Sequence, residues 1–385
     1  MTKNIFKNNL NFFFGSLSIS INFFFSSILI IFLSLFDYLD LAAELGLTLS
    51  FTLFLCQIFS ANHRSLLYLK KYENNINSLA QFRFLISIAI IIISFFLISI
   101  LKFENQNFLL IISTLICAQW ILEIFLTIKE KKKNHNYLNK VLFTNTLFFS
   151  MILICIFFDY IIIINYLMLF LLISYLLIFK KEFNELKLNI KNLTLSKDIF
   201  KNSLKNYEII SSFFLNFSNL IWRFSIFALA GKSVAGLLFG SYALGSFFGT
   251  IYYNILGPRL HSKRIFFSKI CLILFLLLTI LLSLISFKYL KNFSNINEFD
   301  IVRMSCILFS LSGSFIMILS LFIRFDYFYN NGTKLVFKLD IIYSILIAFV
   351  ILGIFHLLGL KYFVLAYFVA SICSLGVYSL VYLKK

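Results

Sequence analysis

Charge is what this chain has least of. Only 13% of its 385 residues are Asp, Glu, Lys or Arg, against about 25% in a soluble globular domain, while 61% are apolar and 19% aromatic. Mean hydropathy is +0.95. These values exclude a water-soluble globule. Acid is scarcer than base, with 16 Asp and Glu against 34 Lys and Arg. Proline occurs once, at Pro258, in a chain rich in Phe, Ile, Asn and Lys. That composition marks an AT-rich coding bias, so no single loop lysine carries functional weight. The six cysteines (Cys56, Cys117, Cys155, Cys271, Cys306 and Cys373) fall inside apolar segments without a CxxC spacing, which excludes a disulfide framework. His63, His135, His261 and His356 stand singly at loops or segment ends, so no metal centre is expected.

What is present is a series of twelve apolar segments: 9–36, 41–60, 79–101, 107–128, 138–158, 161–180, 207–230, 233–254, 268–290, 301–322, 338–358 and 361–382. Each is long enough to cross a hydrocarbon layer of roughly 30 Å as a helix. The first is too long for a signal-peptide core and no small-residue cleavage site precedes Asp37, so it is expected to remain as a helix. The longest break, 181–206, is too short for a soluble domain, and a nucleic-acid-binding surface has nowhere to fold.

The loops alternate between basic and nearly uncharged. With the N-terminus in the cytoplasm, 27 of the 34 basic residues fall on the inner side, Arg64, Arg83, Lys129, Arg259, Arg324 and the lysines of 181–206 among them. Six (Lys102, Lys232, Lys288, Lys291, Arg303 and Lys361) fall outside, and Arg223 lies within a segment. The positive-inside rule therefore places both termini in the cytoplasm. The net charge of +18 is mostly a signal of threading.

The central basic stretch suggests two halves: an N-terminal six-helix lobe (1–180), a basic cytoplasmic linker (181–206) and a C-terminal six-helix lobe (207–385). Asn11, Gly15, Ser18, Asn22 and Ser26 share one face of segment 1, and Glu208, Ser212, Asn216, Asn219 and Arg223 one face of segment 7; at an offset of 197 residues Asn11, Gly15, Asn22 and Ser26 match Glu208, Ser212, Asn219 and Arg223. On a helix each stripe occupies an arc of roughly 80°. Such polar stripes face protein or water rather than lipid. They either line a cavity between the halves or make interhelical hydrogen bonds.

Arg223 is the sharpest residue. Arginine at a helix centre costs about 2.5–3.5 kcal/mol, which a wet cavity or an anionic ligand would offset. Snorkelling towards the outer headgroups is the other reading. Glu123 follows Gln119 by four residues on segment 4, in reach of either a cavity or the inner interface. Glu44 is expected at the outer interface, and Glu208 opens segment 7, where a carboxylate suits a helix N-terminus. No segment carries the series of carboxylates expected of a dedicated proton relay. Gly236, Gly240, Gly245 and Gly249 space small residues along segment 8, a helix-packing signal, and Pro258 is expected to end that segment.

The stretch Ile221 to Leu244, with Gly257-Pro258-Arg259-Leu260, resembles helices 7 and 8 of the Wzx-type polysaccharide flippases, members of the multidrug/oligosaccharidyl-lipid/polysaccharide (MOP) exporter superfamily. The shared elements are a charged residue (Arg223), Gly231, the pair Ala235-Gly236, Tyr242 and the Gly-Pro. The hairpin Asp37 to Gly46 resembles its counterpart more loosely, and the chain is short for such flippases. The resemblance implies an all-α, V-shaped transporter of the MATE type with 12 transmembrane helices arranged 6+6, in the bacterial inner membrane. Its cargo would be an oligosaccharide on a polyprenyl diphosphate carrier. Arg223 would meet the diphosphate or an acidic sugar, and Asn22, Asn216 and Asn219 the hydroxyls. Glu208, Glu123 and Gln119 complete the expected substrate-binding set. The implied partners are membrane lipids and a polysaccharide polymerase or other glycan-assembly proteins, with the chain a monomer. No cofactor is implied, and a proton or a sodium gradient would each serve as driving force. A small-molecule exporter of the same superfamily is the main alternative, although it should carry membrane carboxylates. An integral-membrane glycosyltransferase or polymerase is the third, although the outer loop 288–300 is small and lacks Asp-x-Asp.

Overall fold

A computed structural model describes residues 25–60, 67, 76–132, 134–185, 208–261, 298–330, 333–358 and 360–380, with scattered positions between 277 and 288. The described residues form α1 (Phe25–Leu35), α2 (Leu39–Ser60), α3 (Ile76–Ile100), α4 (Gln106–Lys131), α5 (His135–Phe157), α6 (Ile161–Ile178), α7 (Glu208–Ala230), α8 (Lys232–His261), α9 (Glu298–Asn330), α10 (Thr333–Gly353) and α11 (Ala366–Ser379). Every predicted segment except 268–290 coincides with one of them. That segment, and residues 9–24 of the first, lie outside the described residues or nearly so. Among the described residues, seven helices are long and apolar enough to span a membrane. The chain is a multi-pass, all-helical membrane protein. Helices are the form these sequences must take, because lipid offers no partner for a free backbone N–H or C=O.

Two boundaries differ from expectation. The helix of segment 8 runs through Pro258 to His261. A proline removes one hydrogen bond to the preceding turn, and a long helix tolerates this near its end. The helix of segment 11 widens into a π-turn at Ile354–Leu358 just after Gly353, and segment 12 breaks into Leu360–Phe363 and α11.

The turns on the expected outer side share one device. Asp37, Lys102 and Asp159 have φ of 67°, 51° and 65°, and Gly231 has 82°. In the first three, the next residue donates its N–H back to the third residue from the helix end: Tyr38 to Leu33 at 2.9 Å, Phe103 to Ile98 at 3.4 Å and Tyr160 to Cys155 at 2.8 Å. These are Schellman caps, which satisfy the last carbonyls and reverse the chain in two or three residues. Only Gly231 takes the left-handed conformation without steric cost. Asp159→Gly should therefore raise stability by about 0.5–1 kcal/mol, read as a higher unfolding midpoint in detergent. A drop would mean that the Asp159 side chain stabilises the turn.

The chain divides into two compact units. Unit one comprises 1–26 and 48–213, and unit two comprises 27–47 and 214–385. In unit one α3 packs on α4, α5 on α6 and α4 on α6; in unit two α8 packs on α9, and α11 on both α9 and α10. Residues 27–47, the end of α1 and the start of α2, thus pack with the C-terminal helices. Small residues permit this approach. A Cβ on Gly236 would overlap the Leu39 carbonyl, and one on Gly240 would overlap the Ser34 side chain.

Candidate functional site

Charge inside a bilayer must be paired or hydrated, so the buried ionisable residues locate the candidate sites. Unit one holds Arg83, which is 1% exposed. Its Nη1 donates to the Trp120 carbonyl at 2.5 Å and to Glu123 Oε2 at 2.8 Å, and the guanidinium lies 4.9 Å from the Trp120 ring centroid. Trp120 Nε1 donates to Ser60 Oγ at 2.5 Å, and Ser60 donates to the Cys56 carbonyl at 2.9 Å. Arg83, counted in the sequence among the inner-side cations, is therefore a core residue of α3, and Glu123 is its counter-ion. One turn earlier on α4, buried Gln119 donates to Tyr175 Oη at 3.3 Å, which donates to Asn145 Oδ1 at 2.7 Å. These networks join α2, α3 and α4, and α4, α5 and α6, with hydrogen bonds that lipid cannot replace.

Unit two holds a second buried pair. Arg324 Nε donates to Asp340 Oδ1 at 2.9 Å and Nη2 to Oδ2 at 2.7 Å. The Tyr378 hydroxyl also donates to Oδ1. Asp340 is fully buried, and around it pack Tyr327, Phe337, Val377 and Tyr378. Arg324, too, was counted as an inner-side cation and is a buried one. Asp340 stands at the start of an apolar segment, where a carboxylate reads as interfacial, so nothing in the sequence marks it.

A third cation within a helix is Arg223. Its Nη1 donates to the Gly46 carbonyl at 3.1 Å, and its guanidinium carbon lies 5.4, 5.5 and 6.0 Å from the ring centroids of Trp222, Phe239 and Tyr242. Arg223 is therefore turned onto protein: a neutral carbonyl and the negative faces of three rings hold the cation. The rings brace one another. Trp222 packs edge-on to Phe239 at 5.7 Å and tilted on Tyr242 at 4.7 Å, and Tyr242 packs edge-on to Tyr367 at 4.8 Å. Trp222 Nε1 donates to Asn219 Oδ1 at 3.3 Å. Beside the site, Glu44 Oε1 and Lys232 Nζ form an ion pair at 2.7 Å, and Ser233 Oγ donates to Asp40 Oδ1 at 2.8 Å. Glu44 is 1% exposed rather than interfacial. The fold buries it by setting the start of α2 against α8, where a lysine just past the Gly231 turn reaches it.

Of the expected binding residues, the structure brings Asn219 and Arg223 together on α7, with half-buried Asn216 one turn away. Gln119 and Glu123 belong to unit one, in the networks described. Asn22 lies outside the described residues, and so does the side chain of Glu208, the first residue of α7. Among the described residues no group of three His, Cys, Asp or Glu is placed to hold a metal ion. Described cysteines 56, 117, 155, 306 and 373 are free thiols.

No family model matches the chain, and no curated protein sequence does. Among solved structures it is similar to a MOP superfamily transporter from Pyrococcus furiosus, described as having a binding pocket of reversed polarity that suggests a different function. The identity is 12%, the match covers 98% of this chain and 97% of that one, and the TM-score is 0.52. A mutant of the MATE transporter VcmN from Vibrio cholerae is also similar, with 12% identity, 100% and 97% coverage and a TM-score of 0.45. The Pyrococcus likeness, spanning nearly both chains, shows that this chain has the fold of MOP superfamily transporters.

Proposed function

We propose that this protein is a flippase that turns a polyprenyl-diphosphate-linked oligosaccharide from the inner to the outer leaflet by alternating access, for the assembly of a surface polysaccharide such as O-antigen or capsule. The observation that carries the reading is Arg223: a guanidinium within a membrane helix, touching a carbonyl and aromatic rings, with Asn219 one turn and Asn216 two turns away on the same helix. A carbonyl is a weak partner for a cation compared with a phosphate, which accepts two charge-assisted hydrogen bonds from the guanidinium fork. An anionic headgroup is thus the ligand Arg223 suits, and the asparagines suit hydroxyls. The prenyl tail would remain in the bilayer while the headgroup is carried across by alternating access. Both termini would be cytoplasmic.

The alternative, an ion-coupled exporter of small molecules, finds less support. The carboxylates of Glu44, Glu123 and Asp340 are each bridged to a basic residue, whereas a proton or sodium relay uses acids able to exchange their counter-ion.

The test is Arg223→Ala in cells that depend on this protein for glycan display. Surface glycan should fall about tenfold or more, the value of one charge-assisted contact, with lipid-linked oligosaccharide accumulating in the inner leaflet. Arg223→Lys should recover part of it. Unchanged display at normal protein level would overturn the role of Arg223.

A further inference from the structure

We propose that the phenols of Tyr242 and Tyr367 form a sugar subsite, receiving hydroxyls of the first sugar beside the diphosphate at Arg223; this rests on the flippase reading and adds residues to it. The starting observation is the hydrogen bonding of buried phenols. Tyr175 meets Gln119 and Asn145, Tyr378 meets Asp340, and Tyr343 meets Ser374. The Tyr367 hydroxyl, on a residue only 3% exposed, bonds no described residue. The neighbouring Ser371 hydroxyl donates to the carbonyl of residue 367 instead, at 2.8 Å. Half-buried Tyr242, packed edge-on against Tyr367, has ring contacts but no hydrogen bond from its hydroxyl to a described residue.

Two helices give up side chains to hold Tyr367. A Cβ on Gly245 of α8 would come within 2.5 Å of its ring, and one on Gly313 of α9 within 2.7 Å. Ser314 of α9 donates to the Gly245 carbonyl at 2.7 Å and ties the two walls of this slot together. The ring so held meets the Tyr242 ring at 4.8 Å, and Tyr242 in turn meets Trp222 at 4.7 Å and the Arg223 guanidinium at 6.0 Å. Guanidinium and phenols therefore belong to one contiguous group of side chains from α7, α8 and α11. Tyr242 stands well beyond Lys232, about 15 Å along α8. That is too deep for the interfacial belt in which membrane tyrosines reach water.

The two kinds of group suit two parts of one cargo. A guanidinium only donates, which fits phosphate oxygens, whereas a phenol donates and accepts, which fits a sugar hydroxyl. A phenol kept from water without a partner is unfavourable. A ligand hydroxyl removes that penalty, so the sugar adds affinity that the bare diphosphate lacks. Sites of this type discriminate against ligands without the hydroxyl, because their own polar groups then stay unpaired. A small organic cation, the cargo of an exporter, gains nothing comparable and meets the like charge of Arg223 beside the rings.

The experiment measures the binding of two lipids to the full-length protein in nanodiscs: undecaprenyl diphosphate, and undecaprenyl diphosphate carrying one N-acetylglucosamine. The readout is the ratio of the two dissociation constants. It should favour the sugar-bearing lipid about tenfold and fall to about threefold in Tyr242→Phe or Tyr367→Phe, each of which keeps its ring and loses one hydroxyl. The double variant should bring it close to one. Arg223→Gln should weaken both lipids and leave the ratio near its parent value. A merely structural role for the phenols would weaken both lipids alike, so phenylalanine variants that keep the parent ratio overturn the subsite. Equal binding of both lipids by the parent also overturns it and leaves the flippase reading standing. Binding of neither lipid overturns the flippase reading, and the subsite with it.

Discussion

Asp340→Ala should lower the stability of the protein by about 3–5 kcal/mol, because it leaves the Arg324 guanidinium buried without its carboxylate. The loss is large for a geometric reason. Both carboxylate oxygens accept from Arg324, at 2.9 and 2.7 Å, and one also accepts from Tyr378. The alanine variant therefore orphans three donors in an apolar cluster that includes Val336, Phe337 and Val377. Tyr378→Phe removes one donor and its bond together and should cost only about 1 kcal/mol. The double variant Arg324→Met with Asp340→Leu removes both charges and should recover most of the loss, since well-packed apolar replacements of buried ion pairs are often neutral or stabilising. Thermal midpoints of the detergent-purified protein, followed by the monodisperse fraction on size exclusion, would rank the four proteins. An Asp340→Ala variant as stable as the parent would show that Arg324 finds water.

Gly236→Ala should be the most damaging methyl group that can be added to the described part of α8, 232–247, at about 3 kcal/mol or more. The new Cβ would overlap the backbone carbonyl of Leu39. A backbone atom has no rotamer to change, so α8 must back away from the start of α2, with consequences for the Glu44–Lys232 pair and the Arg223–Gly46 bond. Gly240→Ala meets the Ser34 side chain instead, and Ser34→Gly should relieve it. Gly376→Ala is the control: its Cβ would enter open space, and alanine should gain about 0.5–1 kcal/mol as the better helix former. Comparing purified yields and midpoints of the three variants separates packing from propensity. A Gly236→Ala protein matching the Gly376→Ala protein would mean that α8 and α2 can separate without loss.

The positions of the helices were legible in the sequence because apolar length is a property of consecutive residues. Described helices begin and end within a few residues of the predicted segments for Ile76–Ile100, Gln106–Lys131 and Glu208–Ala230. Glu298–Asn330 runs further at its C-terminal end, through Arg324, because a buried carboxylate from the next helix meets that arginine. The importance of Arg223 was legible for a related reason: a charge in the middle of an apolar run is conspicuous. Arg83, Arg324, Glu44 and Asp340 were not conspicuous. Each lies within about two turns of a segment end, where a charge can reach the interface, and the counter-ions stand 40, 16 and 188 residues away in sequence.

The sequence by itself determined that this is a multi-pass helical membrane protein, because hydropathy and helix length are local and lipid permits no other backbone. It also singled out segments 1 and 7 as the ones whose polar faces need a purpose. Only the tertiary structure decided what those polar groups touch. It assigned Glu123 to Arg83, turned Arg223 onto Gly46 and three rings, and packed residues 27–47 with the helices of the C-terminal part of the chain. Pairing of charges and exchange of a hairpin depend on which helices become neighbours, and that is settled by packing across long sequence separations.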